Sequence, residues 1–517
     1  MPVGKPTRER LKNAFLQTRF FALLWVTYAY FYQGADPNQL TRIFLTQSLV
    51  ERRSLDIMPY HGFTIDKAEL HGTFFCDKAP GLSFLATPLF AIQNLADRLF
   101  GFSPDDLAIK RARLHMLVIF LCGLSGVAAT WALARVLRTF GANRSEEQLL
   151  VVGYALGTLV FPFSTALFAH QMVAAFLIAS FAMIRTSNGD HGLPSTKLLL
   201  IGFLWGLSII SEYPTGLLVA SLGLYLLSLQ STWASRARSA LYVSVGALVP
   251  LFIHSVYLRA AFGSPFALPY KFVFEPVFRV HHEEGLLGIN PPTPAGIFGV
   301  LVSRYRGLFF FCPFLLLSFF GIARWIREGT ERRELVLMIA LLVTYFIFGT
   351  SYYAWDGGGS TGPRHMIPIL PFLVISVLPF LRNGAKWRFF LCLGLVIVSI
   401  GLMFVSTAVL IHMPEGEVML SNPIYETILP SFFRHELGLN TQDVRELGFR
   451  SDASYTLGSL LGLKPFSSLF VIPIIWAFGY AESIIGWIRK MAVSRNARSR
   501  LADKAILSGA REGAENR

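Results

Sequence analysis

Charge is scarce in this chain. Of 517 residues only 15% are Asp, Glu, Lys or Arg, against 53% that are hydrophobic, and the mean hydropathy is +0.51. Such a balance excludes a soluble globular domain and leaves a polytopic membrane protein. Cysteine is scarce too: Cys76, Cys122, Cys312 and Cys392 are scattered, three of them inside apolar runs, which excludes a disulfide framework and reads as small buried hydrophobes. The first apolar run (FFALLWVTYAYFYQ, residues 20–33) lacks a small-residue cleavage site, so it is expected to stay as a first helix. No basic-aromatic patch and no zinc spacing accompanies the formal net charge of +14, which excludes nucleic acid as a partner. Mid-run positions are nearly free of charge and no internal repeat is visible, which argues against a transporter or flippase. In His281-His282-Glu283-Glu284 the ligand types are adjacent, without i, i+3 or i+4 spacing and without a later partner, so a solvated loop is expected there and no metal.

What the chain does have is apolar length. Runs able to cross a bilayer occur near 17–34, 114–137, 147–167, 169–185, 197–212, 214–230, 239–260, 307–325, 334–353, 365–381, 388–411 and 465–488, which predicts an all-α integral membrane bundle of about twelve spans. With the basic N-terminus (Lys5, Arg8, Arg10, Lys12, Arg19) inside, the even-numbered connections carry Arg135, Arg138 and Arg144, then Arg185 and Lys197, Arg236 and Arg238, Arg324 to Arg333, and Arg382 to Arg388. The tail adds Arg489, Lys490 and Arg495, as positive-inside topology requires. Residues 81–96 are apolar enough to offer a further span, but that would place the basic tail and Arg332-Arg333 outside, so an interfacial or re-entrant helix is expected. The external side then collects 35–112, 261–306, 352–365 and 413–463. The expected division is a bundle over 1–412, an external loop with the last span over 413–488, and a basic cytoplasmic tail over 489–517.

Chemistry-bearing residues concentrate in the external segments. Residues 36–52 (DPNQLTRIFLTQSLVER) pattern as an amphipathic helix on the membrane surface. Asp36, before Pro37 and three residues before Gln39, is either its N-cap or a carboxylate available as a general base. A hairpin is expected around His71-Gly72 before Thr73-Phe74-Phe75. Asp77-Lys78-Ala79-Pro80-Gly81 follows, with Lys78 either a phosphate-binding point cation or a snorkelling helix-end residue. The turn from Trp355 through Asp356, Gly357, Gly358 and Gly359 to Arg364 and His365 permits close backbone approach and an anion nest beside Arg364. Glu212-Tyr213 and His170 stand at external span junctions, where an ionisable group is costly and its alternative is a polar turn reaching interfacial water. Arg304 and Arg306 begin a span from the outside, placed to hold phosphate or anionic lipid.

With these elements the chain resembles the GT-C superfamily of integral-membrane glycosyltransferases, in particular the branch of protein O-mannosyltransferases and lipid A aminoarabinose transferases. The architectural resemblance covers most of 17–412; the motif resemblance is confined to the first loop, in Asp36, the helix 38–52 and Asp77-Lys78-Ala79-Pro80. The chain is also similar to a group of bacterial membrane proteins with N-x-x-(S/T)-R, D-K-A-P-G and W-x-G-G-x-x-x-G-P-R elements, here Asn38 to Arg42, Asp77 to Gly81 and Trp355 to Arg364.

The resemblance implies an enzyme of the bacterial inner membrane. It would move a sugar from a polyprenyl-phosphate donor to a lipid, glycan or protein acceptor at the external face, with inversion and without an obligatory metal or other cofactor. It casts Asp36 as base, and Lys78, Arg42, Arg364 and Arg306 as donor-phosphate ligands. Trp355, Asp356, His365, Glu212, Tyr213 and His170 would line the sugar and lipid. Relatives carry paired acids after the first span, whereas here Asp36 is followed by Pro37, Asn38 and Gln39, so Asp66 and Asp77 stay as alternative bases. A lipid-linked glycan ligase or polymerase is the rival, and such ligases place their functional residues in a late external loop, which here (413–463) is less motif-like than 35–81.

Overall fold

The computed structural model describes residues 8–103, 106–187, 193–382, 384–412, 422–438 and 454–480. The expected tail 489–517 and parts of the loop 413–463 lie outside them. Helix dominates, as an apolar chain in lipid must satisfy its backbone within each segment. Among the described residues five helices are long and apolar enough to cross a membrane: Ala108–Thr139, Trp233–Phe262, Arg332–Ser351, Arg364–Leu381 and Lys386–Val409. Ala169–Arg185, Ser195–Ser211, Tyr213–Ser228 and Pro465–Gly479 are shorter apolar helices. Some expected spans are interrupted. The run 147–167 breaks at Thr158 (φ −126°, ψ 175°), which ends the helix Arg144–Gly157. The run 307–325 is cut at Pro313 into Leu308–Phe311, a 3-10 turn and Leu317–Glu328, because proline supplies no amide to continue a helix.

Small residues let these helices touch. A side chain at Gly202 would run into the backbone of Val243, and one at Gly246 into that of Leu199, so Ser195–Ser211 and Trp233–Phe262 lie backbone to backbone. Gly321 has the same relation to Ser376.

The two ends of the bundle differ. At one end Arg185 binds Glu334 (2.7 Å) and Glu331 (3.2 Å), while Arg382 reaches Glu331 (3.8 Å) and donates to the Phe140 carbonyl. Trp325 packs its edge on Phe140 there. The connections expected to be cytoplasmic therefore converge. The first loop and the glycine turn lie at the opposite helix ends.

The first loop folds over those ends as a body with its own core, including Leu40, Phe44, Ile57, Cys76, Leu82 and Tyr257. Its helix Pro37–Gln47 was expected on the surface with one apolar face, but Gln39, Thr41, Arg42 and Thr46 are buried along with Leu40 and Phe44. The reason is tertiary cover: Tyr60 stacks on Phe44 (5.2 Å), and Ser83, in the helix Gly81–Phe100, donates to the Arg42 carbonyl (2.9 Å). Ala68–Leu70 and Thr73–Phe75 form the expected hairpin, with Leu70 opposite Thr73. His71 (φ 51°) and Gly72 (φ 78°) make its two-residue turn, which needs positive φ at both positions. Gly81–Phe100 is a 20-residue helix outside the five spanning candidates, and Arg113 joins its end to the loop through Asp97 and Glu51 (3.7 Å). In the segment after Phe262, Val273 bridges to Ala68 and the Phe274 amide donates to the Lys67 carbonyl (2.9 Å), extending the hairpin as a roof. Short strands Phe31–Tyr32 and Tyr455–Thr456 also pair, an element the apolar pattern does not announce.

Candidate functional site

A cavity of about 320 Å³ opens between the first loop, the glycine turn and the roof. Asp36, Arg42, Asp66, Asp77, Lys78, His170, Glu212, Asp356, Arg364 and His365 line it, so ten of the thirteen residues to which the resemblance gives a role meet in one place. Three do not line it. Arg306 is fully buried and donates to the Gly358 carbonyl (3.1 Å) and Tyr305 hydroxyl (3.1 Å). Tyr213 pairs with His254 (2.9 Å). Trp355 lies on Gly299, where a Cβ would meet its ring, so it packs the turn and does not face the cavity. Arg304 is exposed.

Asp36 was read as cap or base, and its two oxygens divide those roles. Oδ1 accepts the Gln39 amide (2.8 Å) and caps the helix. Oδ2 faces His412 Nδ1 (3.7 Å) and Arg364 Nη1 (4.0 Å), beyond hydrogen-bond length from either. A base needs one free oxygen, and the cap leaves one.

Asp77-Lys78 follows the hairpin directly, and Gly81 anchors it: a side chain at Gly81 would collide with Ser211, the residue before Glu212. The glycine of the D-K-A-P-G element thus lets the loop settle on the end of Ser195–Ser211. Lys78 Nζ sits 2.8 Å from Asp77 Oδ2 and 3.1 Å from Asp66 Oδ2. Burial works against its charge, but Asp66 and Asp77 outweigh burial and hold its pKa above the ordinary lysine value. Burial pushes the Asp77 carboxyl up to about 6, with Lys78 opposing and Asp66 adding to the rise. Asp77 Oδ1 is buried with no hydrogen-bond partner among the described residues. Lys78 is thus a shared cation and not a snorkelling one.

Arg42 Nη2 binds Glu212 Oε1 (3.1 Å), with both side chains under a tenth exposed, and His170 Nδ1 lies 3.5 Å from the same oxygen. Arg364 lies over the Phe168 ring (5.0 Å). Arg42 Nε and Nη1 and Arg364 Nε are buried donors with no partner among the described residues. The glycine turn does not offer the simple anion nest expected of it: Gly357 and Gly358 have positive φ, but the Gly358 amide is taken by Asp356 Oδ1 (3.0 Å). Asp356 holds the turn, and the cations lining the cavity are Arg42, Lys78 and Arg364.

Several lining residues were missed. His281 and His282, expected in a solvated loop, line the cavity, stacked on Tyr353 (4.9 Å) and Tyr270 (5.1 Å). Burial pushes the His282 pKa down and that of Tyr270 up. The signal lay in the helix Pro276–Glu283, which follows a proline start and turns His282 inward. Tyr352, the residue after the helix Arg332–Ser351, and Asn38 also line the site. His412, at the end of an apolar run, had no local signal.

Comparison with known proteins adds the following. No family model matches the sequence, and no curated protein does. ArnT from Cupriavidus metallidurans bound to undecaprenyl phosphate superposes with a TM-score of 0.47 at 14% identity, over 90% of this chain and 77% of that one. The archaeal oligosaccharyltransferase AglB from Archaeoglobus fulgidus, in complex with an inhibitory peptide and a dolichol-phosphate, does so with a TM-score of 0.47 at 12% identity, over 84% of this chain and 59% of that one. The likeness to both is one of fold, at low sequence identity.

Proposed function

We propose that this protein transfers a sugar from a polyprenyl-phosphate donor to an acceptor hydroxyl at the external face of a bacterial inner membrane. The observation that carries the reading is the gathering of three cationic side chains, Arg42, Lys78 and Arg364, around a cavity that Asp36 also lines, with one carboxylate oxygen left over from the cap. A phosphate is the anion whose several oxygens can meet more than one such cation at once, and charge-assisted contacts of that kind are the strong ones. The resemblance of the D-K-A-P-G and W-x-G-G-x-x-x-G-P-R elements supports the same reading. Asp36 Oδ2 takes the proton of the acceptor hydroxyl, the acceptor oxygen attacks the anomeric carbon, and the bond from that carbon to the phosphate oxygen breaks. The electron pair departs with the phosphate, where Lys78, Arg42 and Arg364 stabilise it. His281, His282, Tyr270 and Tyr353 form an aromatic wall on which the sugar would stack.

The test is transfer of labelled sugar from polyprenyl-phosphate donors in membranes of a strain lacking the protein, with and without the purified protein added back. Transfer that appears only on addition supports the reading, and its absence with every donor sugar tried would end it. Binding of a synthetic polyprenyl phosphodiester probes the clamp separately. Lys78→Ala should weaken it by about 1.5–3 kcal/mol, roughly tenfold to a hundredfold. Because a phosphate beside Lys78 raises the Asp77 pKa beyond about 6, binding takes up a proton. Affinity is therefore full below pH 6 and falls as pH rises above it, and Asp77→Asn should flatten the profile. A pH-independent affinity in the wild type, with Lys78→Ala unchanged, would remove Lys78 from the clamp.

The sidedness has its own expected outcome. Glu69→Cys, on the exposed hairpin, should react with an impermeant maleimide in intact cells, whereas Arg327→Cys should react only after permeabilisation. The four native cysteines are buried and give a low background. The reverse pattern would turn the site to the cytoplasm and overturn the external placement.

A further inference from the structure

His412 has no part in the reading above, yet it joins three elements at Asp36. It stands three residues beyond the helix Lys386–Val409 and is almost fully buried. Its Nε2 lies 3.2 Å from the Gln33 carbonyl, three residues before Asp36, and its Nδ1 lies 3.7 Å from Asp36 Oδ2. The neighbouring Ile411 carbonyl accepts from Thr361 in the glycine turn (3.1 Å), so the backbone at this point is held from two sides. With Nε2 donating to the Gln33 carbonyl, a neutral ring turns the lone pair of Nδ1 towards the carboxylate. Both atoms are acceptors in that state, and a proton taken up by Oδ2 would find Nδ1 as its acceptor once the 3.7 Å between them closes to hydrogen-bond length.

We propose that His412 is the positioning residue of Asp36, receiving from it the acceptor's proton so that the carboxylate is restored within each turnover. This rests on the reading of Asp36 as base. The acceptor O–H bond breaks and its proton goes to Asp36 Oδ2, while the acceptor oxygen's electron pair forms the bond to the anomeric carbon. The bond from that carbon to the phosphate oxygen breaks, its electrons leaving on the phosphate. The proton then moves from Oδ2 to Nδ1, and the imidazolium loses it to water as the product leaves. The charged groups facing the ring are Asp36, which favours the imidazolium, and Arg364, which opposes it; the carbonyls of Gln33 and Gly359 favour it, and burial opposes it most. Phe168 from the helix side adds no charge.

His412→Gln keeps a donor for the Gln33 carbonyl but cannot take a proton. In the reconstituted membranes it should lower kcat about tenfold to a hundredfold with little change in KM, the size expected when a reacting group is misplaced. Unchanged kcat would overturn the proposal, as would an equal loss of donor binding, which a structural role would give. Should the variant fail to accumulate, His412→Asn, a smaller side chain with an amide donor and no basic nitrogen, takes its place: a lower kcat at unchanged donor binding supports the proposal, and an unchanged kcat overturns it. Asp36→Asn separates the two readings. If that variant turns over at the wild-type rate, the base reading falls and His412 falls with it; if it is silent while His412→Gln is unaffected, only the role of His412 falls.

Discussion

Asp36→Asn is expected to yield a protein that inserts, folds and binds donor, and that transfers sugar about a hundredfold to ten-thousandfold more slowly, the range typical of a lost general base. The division of labour between the two carboxylate oxygens makes this a clean substitution. Asn serves as an N-cap about as well as Asp, so its carbonyl oxygen can keep the Gln39 amide that Oδ1 now accepts at 2.8 Å. Its amide nitrogen replaces Oδ2, the oxygen that faces His412 and Arg364, and cannot accept a proton. Asp36→Ala removes both functions and should also lower stability by about 0.5–2 kcal/mol, the ordinary loss of a cap. Transfer rates and thermal unfolding of the two variants, measured side by side, tell the roles apart. If Asp36→Asn kept most of its rate, the base would have to be sought at Asp77, whose carboxyl sits at about 6 beside Lys78, and then at Asp66.

What could be read from the chain was what is local. The cap at Asp36, the two-residue turn at His71-Gly72 and the helix start at Gly81 each depend on residues within a few positions, and each stands where the pattern puts it. The gathering of the first loop, the glycine turn and the ends at His170 and Glu212 was legible for another reason: alternation of spans sends every second connection to the same end. Partners could not be read. Arg42 meets Glu212 170 positions away, and His412 meets Asp36 only because the last long helix ends beside the first loop. Burial of the helix Pro37–Gln47 on all sides escaped the hydrophobic pattern because its cover comes from elsewhere, from Tyr60 and from the helix starting at Gly81. Hydropathy likewise measures apolar length and not backbone continuity, so it counted 147–167 and 307–325 as unbroken where Thr158 and Pro313 divide them.

Glu212→Ala is expected to have the largest effect on stability. Arg42 and Glu212 are both nearly withdrawn from water, with side chains 3% and 9% exposed, and removing one member of such a pair leaves the other charge buried and uncompensated at a cost of about 3–5 kcal/mol. Arg42 has no second carboxylate to turn to, since Asp66 and Asp77 are engaged by Lys78. Glu212→Gln keeps an acceptor for the Arg42 guanidinium and should lose much less. The informative variant is the apolar pair Arg42→Met with Glu212→Leu, because replacing a buried ion pair by packed apolar side chains is often neutral or stabilising. If Arg42 serves only to hold the first loop on Ser195–Ser211, the double variant should regain both thermal stability and phosphodiester binding. If Arg42, which lines the cavity, is a phosphate ligand, the double variant should regain stability and still bind the probe roughly tenfold to a hundredfold more weakly, the loss of one charge-assisted contact. Full recovery of binding would remove Arg42 from the clamp and leave Lys78 and Arg364 to hold the phosphate.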